Sequence, residues 1–331
     1  MSLRVLKAGL LDTVQDLGRV GYAHLGIHRA GAADSLAAQI ANIVIGNAPG
    51  AALIEMHFPA PTLQFKQDTL FALGGADFDA RLEGKAIPVW TPVRVAAGSV
   101  LTFRKRLQGM RCYLAVQGGL QTAPWLDSRS TSLAAAVGGW HGRALRADDR
   151  LPLIAATDFS APENAILPWR VNIRDAYPAA PVLRYLAGPE YDLLDTAAQQ
   201  LLESADWRVG PQSNRMACAL VGPPLELPAP FELVSSAVQP GLLQLLPGGD
   251  LLALLADCQT TGGYPRIAQV LQADLPALAQ MQPGTSFRLA RVPLETATAA
   301  AQAQRAWLRR LRHACAYRLA KESGGKIQVT G

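Results

Sequence analysis

Six short apolar runs follow one another between residues 51 and 117: AALIEM, TLQF, TLFALGG, IPVW, SVLTF and RCYLAV. Turn residues separate them every eight to twelve positions, the spacing of strands in a sandwich or barrel. At 331 residues the chain exceeds the usual size of one domain. A proline-rich, polar stretch at 155–180 places a boundary near 165–180. VLRYLAGPEYDLL then opens a second strand-rich unit, with further strands at 231–255. The expected organisation is an N-terminal β-barrel domain over 1–170, a C-terminal β-barrel domain over 171–292, and an appended basic helix over 293–331.

Helical periodicity is confined to a few places. SLAAQIANIVIG carries an apolar stripe, with Asp34 as N-cap and Gly46 as the closing glycine. DLLDTAAQQLLES reads as a short amphipathic helix, and VLQADLPALAQM as a helix capped by Asp274. From Pro293 onward the pattern is helical and Ala-rich, then Arg-rich.

The net charge of +5 arises from residues 305–321 of that last helix, where Arg305, Arg309, Arg310, Arg312, Arg318 and Lys321 stand without an acid. The remainder of the chain carries −1, so the basic balance describes one solvated helix face, and no nucleic-acid partner is expected. No run of eighteen apolar residues occurs, so no membrane span is expected. The N-terminus lacks the pattern of a signal peptide. Cys112, Cys218, Cys258 and Cys315 are scattered without a CxxC pair, which points to a reducing, cytoplasmic setting and away from a zinc site or a disulfide framework. No metal site is expected among the five histidines.

The candidate chemistry lies in three places. In ADCQTTGGYP, Asp257, Gln259, Thr260 and Thr261 follow an apolar strand and precede Gly262-Gly263, where backbone can approach a ligand or take positive φ. Tyr264-Pro265 returns the chain to an extended path. LDTVQDLGRVG, with Asp12, Gln15, Asp16 and Arg19, reads as a polar loop. SRSTS at 128–132 puts Ser128, Ser130, Thr131 and Arg129 where they can hold a carboxylate or phosphate. Glu55, inside AALIEMHF, needs a cation such as Arg19 or Arg129, or points into a site. Asn42, a mediocre helix former in mid-helix, also calls for a reason. No phosphate loop, dinucleotide fingerprint or nucleophile elbow is present.

DCQTTGGYPRIAQVLQADLPALAQMQPG resembles the hallmark C-terminal segment of the family called allophanate hydrolase subunit 2, biotin-dependent carboxyltransferase or the C-type 5-oxoprolinase subunit (KipA-like). GLLDTVQDLGRVGYAHLGIHRAGAADSLAAQIANIVIGN, YLAVQGGL, SRSTS and GGWHGRAL resemble its N-terminal half, and the likeness runs to about residue 292. The resemblance implies a mainly β fold with two cyclophilin-like β-barrels. It also implies one component of an ATP-dependent 5-oxoprolinase that acts on a small amide. Its partners there would be a KipI-like B-type subunit, in a heteromer, plus the A-type lactam-utilisation subunit. Two alternatives follow from the same family: a carboxyltransferase component fed by carboxybiotin, for urea or another amide, and a non-catalytic partner of a kinase inhibitor. The chain has neither a biotinyl-lysine motif nor a phosphate loop, so ATP or carboxybiotin would be supplied through partner subunits.

Opening an amide requires stabilising charge on its oxygen. Arg19, Asp34, Thr260 and Thr261 are the expected catalytic set. Asp16, Asn42, Glu55, Ser128, Arg129, Ser130, Thr131, Asp257, Gln259, Gly262, Gly263 and Tyr264 are the expected binding set. Four places depart from the family's usual pattern: Ala217 where Gly usually follows Arg-Met, Ser236-Ala237 where Glu-Pro is usual, Cys258 where Arg is frequent, and Glu190 where Gln is usual.

Overall fold

The computed structural model describes residues 2–154, 163–173, 177, 181–228 and 233–322. The chain divides into two compact units, one of residues 1–19, 30–172 and 306–331, the other of 20–29 and 173–305. The domain boundary expected near 165–180 falls partly on residues outside those described.

The first unit carries β1 (Ser2–Lys7), β2 (Asp12–Gln15), α1 (Ser35–Val44), β3 (Leu53–Met56), β4 (Thr62–Phe65), β5 (Thr69–Asp77), β6 (Ala80–Leu82), β7 (Lys85–Ala86), β8 (Pro92–Val95), β9 (Val100–Phe103), β10 (Gln108–Val116), β11 (Arg150–Pro152) and β12 (Ala165–Ile166). They form two six-stranded sheets, ordered β11-β1-β4-β9-β6-β7 and β12-β8-β5-β10-β3-β2. Phe65 of the first sheet stacks on Phe71 of the second with ring centroids 5.0 Å apart. Helix α1 begins as expected, the Asp34 carboxylate accepting from Ala37 N–H at 2.8 Å, and Gly46 just past its end has φ +80°. A Cβ on Gly74 of β5 would lie 3.0 Å from Ala37 O, so the absent side chain is what lets α1 lie close on the sheet.

Two strand expectations need correction. LDTVQDLGRVG is not all loop, because Asp12–Gln15 form a fully buried strand paired to β3 with Thr13 opposite Glu55. Its polar residues find partners far along the chain, which no local pattern shows. The strand expected at IPVW is displaced to Pro92–Val95; Trp90 instead turns the chain at φ +67°.

Asp12 accepts from Gly9 N–H at 2.7 Å. Burial raises its carboxyl from the ordinary 3.8 to about 7, against the opposing effect of that backbone donor. The unfolded chain therefore ionises first, and stability falls as pH rises from about 4 to about 7, then levels. Asp12→Asn is expected to flatten this fall, measured by urea unfolding at about pH 4 and about pH 8. An unchanged pH slope in the variant would mean that Asp12 is ionised in the fold.

The second unit carries β13 (Val182–Ala187), α2 (Thr196–Ser204), β14 (Trp207–Val209), β15 (Ala217–Val221), β16 (Ser236–Ala237), β17 (Leu242–Leu245), β18 (Leu251–Leu254), β19 (Thr261–Gly262), β20 (Arg266–Val270), α3 (Leu275–Gln280) and β21 (Ser286–Arg291). Seven of them close a barrel in the order β13-β20-β17-β18-β15-β14-β21, sealed by parallel pairing of β21 with β13. Tyr185, Trp207, Leu243, Ala253, Ile267 and Phe287 are among the residues that fill its core. The mainly β reading with few helices thus holds, and the second unit closes as a barrel.

Asp274 stands at the N-terminus of α3 but does not cap it with its side chain. Its carboxylate is taken by Arg184, which donates from Nε at 2.9 Å and Nη2 at 2.6 Å. Helix α4 (Leu294–Glu322) bears Glu295 in its first turn. Cys315 and Leu319 are buried, and Arg94 Nη2 donates to Glu322 O at 3.0 Å, so the end of α4 packs on the first unit. Removing 293–331 would therefore strip part of a core, and charge reversal at the exposed Arg309 and Arg310 is the cleaner probe of a partner. No described helix is long and apolar enough to cross a membrane.

Candidate functional site

In the first unit the structure gathers Asp16, Arg19, Ser128, Arg129, Ser130 and Thr131 into one cluster. The Asp16 carboxylate accepts from Ser130 Oγ at 2.5 Å, Arg129 N–H at 2.6 Å, Ser128 Oγ at 2.7 Å and Gly18 N–H at 2.8 Å. SRSTS does hold a carboxylate, and it is the chain's own. Thr131 Oγ donates to Val14 O at 2.9 Å, and Arg19 donates from Nη2 to Ser130 O. The Arg19 guanidinium also lies 4.7 Å over the Trp125 ring. With Arg19, Ser128, Ser130 and Thr131 all buried, this cluster fixes two loops against β2.

Glu55 is also interior, but its partners are neither Arg19 nor Arg129. Its Oε2 accepts from Tyr113 Oη and Ala33 N–H, each at 2.9 Å, and Arg111 Nε lies 4.0 Å from Oε1. Tyr113 Oη accepts from Asp34 N–H at 2.8 Å. Burial, reinforced by the Glu55 charge, pushes the Tyr113 phenol well above its usual range, so it stays a donor. Asn42 Nδ2 donates to Ala51 O at 2.8 Å, and its Oδ1 accepts from Asn47 Nδ2 at 3.0 Å, which ties the end of α1 to the loop that follows.

In the second unit the hallmark stretch forms a loop ending in the short strand β19. Gln259, Thr261, Gly263 and Tyr264 are exposed, while Asp257, Thr260 and Gly262 are half-buried. Asp257 is gripped at both oxygens by the buried Arg215, Nε at 2.7 Å and Nη2 at 2.9 Å, while Asp257 N–H donates to Arg215 O at 3.0 Å. Strands β16 and β19 form a small antiparallel sheet that pairs Ser236 with Gly262 and Ala237 with Thr261. Behind them Arg266 donates to Glu190 from Nε at 2.9 Å and Nη2 at 2.7 Å, and from Nη1 to Ala237 O at 3.2 Å. That pair holds the Glu190 carboxyl below its usual range, the hydrogen bond from Arg266 being the chief cause.

The positive φ considered for Gly262 and Gly263 does not occur; neither is among the positive-φ glycines. Burial, with the Asp257 charge beside it, raises the Cys258 thiol to about 12, so it is protonated at neutral pH and no nucleophile. Among the described residues no group of His, Cys, Asp and Glu is placed to hold a metal ion.

Sequence reasoning does not single out Tyr113, Arg111, Arg215, Gln244 or Arg266. Arg215 has a signal in the Arg-Met dipeptide before β15, and Glu190 in its departure from the family pattern. The others announce themselves only through contacts.

Over residues 25–291 the chain matches the carboxyltransferase domain, subdomain A and B. It is 38% identical to the C-type 5-oxoprolinase subunit of Escherichia coli K12, over 97% of this chain and 100% of that one. The crystal structure of TTHA0988 aligns with a TM-score of 0.75 at 36% identity, covering 88% of this chain and 55% of that one. That of the K. lactis urea amidolyase aligns with a TM-score of 0.86 at 25% identity, covering 94% of this chain and 20% of that one. The chain therefore spans about half of the first solved protein and a fifth of the second. Matched over most of its length in sequence and fold, the chain belongs to the carboxyltransferase domain family.

Proposed function

We propose that this chain is the C-type subunit of a cytoplasmic 5-oxoprolinase, opening 5-oxoproline to glutamate at the expense of ATP. It works there with two partners, a KipI-like B-type subunit plus the A-type lactam-utilisation subunit. The observation that carries this reading is the correspondence with the Escherichia coli C-type 5-oxoprolinase subunit over that protein's full length. The exposed edge of the hallmark loop supplies the chemistry. Thr260 and Thr261 offer hydroxyl donors to the polar groups of the substrate, and Tyr264 borders them. Asp257, with both oxygens on Arg215, orients the loop rather than taking a proton. Arg215 and Arg266 are each forked onto a carboxylate, so neither presents a fork to a triphosphate. ATP is accordingly assigned to one of the partners.

The test is ATP-dependent glutamate release from 5-oxoproline by this chain mixed with its A-type and B-type partners, each omitted in turn. Thr261→Ala, at an exposed position, is expected to lower kcat/KM by ~10-fold, the worth of one hydrogen bond. Its urea midpoint should stay put. Full activity without this chain would overturn the reading.

A carboxyltransferase is the second reading, favoured by the fit to the K. lactis urea amidolyase. It predicts biotin-dependent carboxylation of an amide, and no glutamate, in the same mixtures.

A further inference from the structure

Beneath the β16–β19 pair two buried polar atoms lack any hydrogen-bond partner, Gln244 Nε2 and Ser236 Oγ. Gln244 is 1% exposed and lies on β17, whose Leu243 and Leu245 face the barrel core. Gln244 and Leu242 therefore point the other way, under that small sheet. Leu242 packs there with Val238, Leu254 and Cys258 in a small separate apolar cluster. A Cβ on Gly262 would lie 2.6 Å from Gln244 Nε2, so the amide abuts the sheet's backbone at the one residue without a side chain.

Ser236 is directly opposite Gly262. Opposed residues of an antiparallel pair project to the same face with Cβ atoms about 5 Å apart. Ser236 Oγ and Gln244 Nε2 thus lie on the same side of the β16–β19 pair, over an apolar floor. Each buried donor left unsatisfied costs about 1–3 kcal/mol. A leucine or alanine would carry no such cost, so the arrangement calls for a third partner.

We propose that Gln244 Nε2 and Ser236 Oγ form a two-donor seat for the carbonyl oxygen of a small amide. The acceptor is neutral, because the flanking cations are matched already, Arg215 by Asp257 and Arg266 by Glu190. The covering strands pair over only two residues each, so they open more readily than the closed barrel beneath. This inference rests on the reading of the substrate as an amide and extends it to the donors that grip the oxygen.

The test follows the side-chain NH2 signals of Gln244 in the 15N-labelled full-length chain, assigned by their loss in Gln244→Met. 5-Oxoproline and acetamide are expected to shift them saturably. Cyclopentanecarboxylate, which keeps the ring and acid but has no lactam carbonyl, is expected to leave them unmoved. Ser236→Ala, which removes one of the two donors, should weaken 5-oxoproline ~10-fold. Gln244→Met should do the same, followed at the Gly262 amide.

The absence of any saturable shift, or the same shift with cyclopentanecarboxylate, would overturn the seat and leave the two atoms to a buried water. If the amides bind but the assembled complex opens no lactam, the seat stands and the 5-oxoprolinase reading falls. If lactam opening proceeds in Gln244→Met at the wild-type kcat/KM, the seat falls and that reading stands.

Discussion

Asp16→Ala is expected to lose about 3–5 kcal/mol of stability, enough to leave a marginal protein partly unfolded at room temperature. The carboxylate gathers two hydroxyls and two backbone N–H groups from segments more than a hundred residues apart. Alanine replaces none of that acceptor capacity, and the buried Ser128 and Ser130 cannot turn to water. Ser128→Ala, which removes one donor and leaves the carboxylate others, should lose about 1 kcal/mol. Urea unfolding of the two variants checks both numbers. A loss below that of Ser128→Ala would mean that the cluster contributes nothing as a unit. Arg19, buried in the same cluster, belongs to this measurement too, and its substitution reads folding before it reads chemistry.

The second large effect is expected at Arg215. Its side chain is 5% exposed and that of Asp257 11%, and the two meet through a bidentate fork. Breaking a buried pair from one side leaves an uncompensated charge, so Arg215→Ala should cost about 3–5 kcal/mol. Arg215→Ala combined with Asp257→Ala removes both charges and should recover part of the loss, a coupling readable from a double-mutant cycle. Because Asp257 begins the hallmark loop, activity should fall further in Arg215→Ala than stability alone explains. Additive single losses would show that the fork is not a coupled pair.

Much of the fold is legible in the sequence because its signals are local. The capping Asp34 and terminal Gly46 mark α1 within a dozen residues, and the turn spacing from 51 to 117 marks strands one by one. What is not legible depends on partners far along the chain. Glu55 looks misplaced until Tyr113 and Arg111 are beside it, 58 and 56 positions away. Asp274 has the sequence of a cap, yet Arg184, 90 positions earlier, takes its carboxylate. The buried polar strand Asp12–Gln15 reads as a loop because its hydrogen-bonding residues are satisfied across sheets, which periodicity does not record. The site divides along the same line. The exposed loop at 257–264 shows itself through residue type, whereas Gln244, in the apolar run LLQLL, shows itself only once Gly262 is seen against it.

The seam of the barrel sets an order of events at synthesis. β13 and β21 lie side by side, with Val182 paired to Arg288, yet 106 positions separate them. A ribosome-bound chain lacking β21 has every other barrel strand and no means of closing them. β13 and β14 would then both present unpaired edges, the surfaces from which sheets aggregate. Closure therefore waits until β21 has been made. A chain stopped just short of Ser286 should be insoluble where one ending after α4 is not. Pairing so distant in sequence also makes for slow folding, so the barrel is an expected client of chaperones.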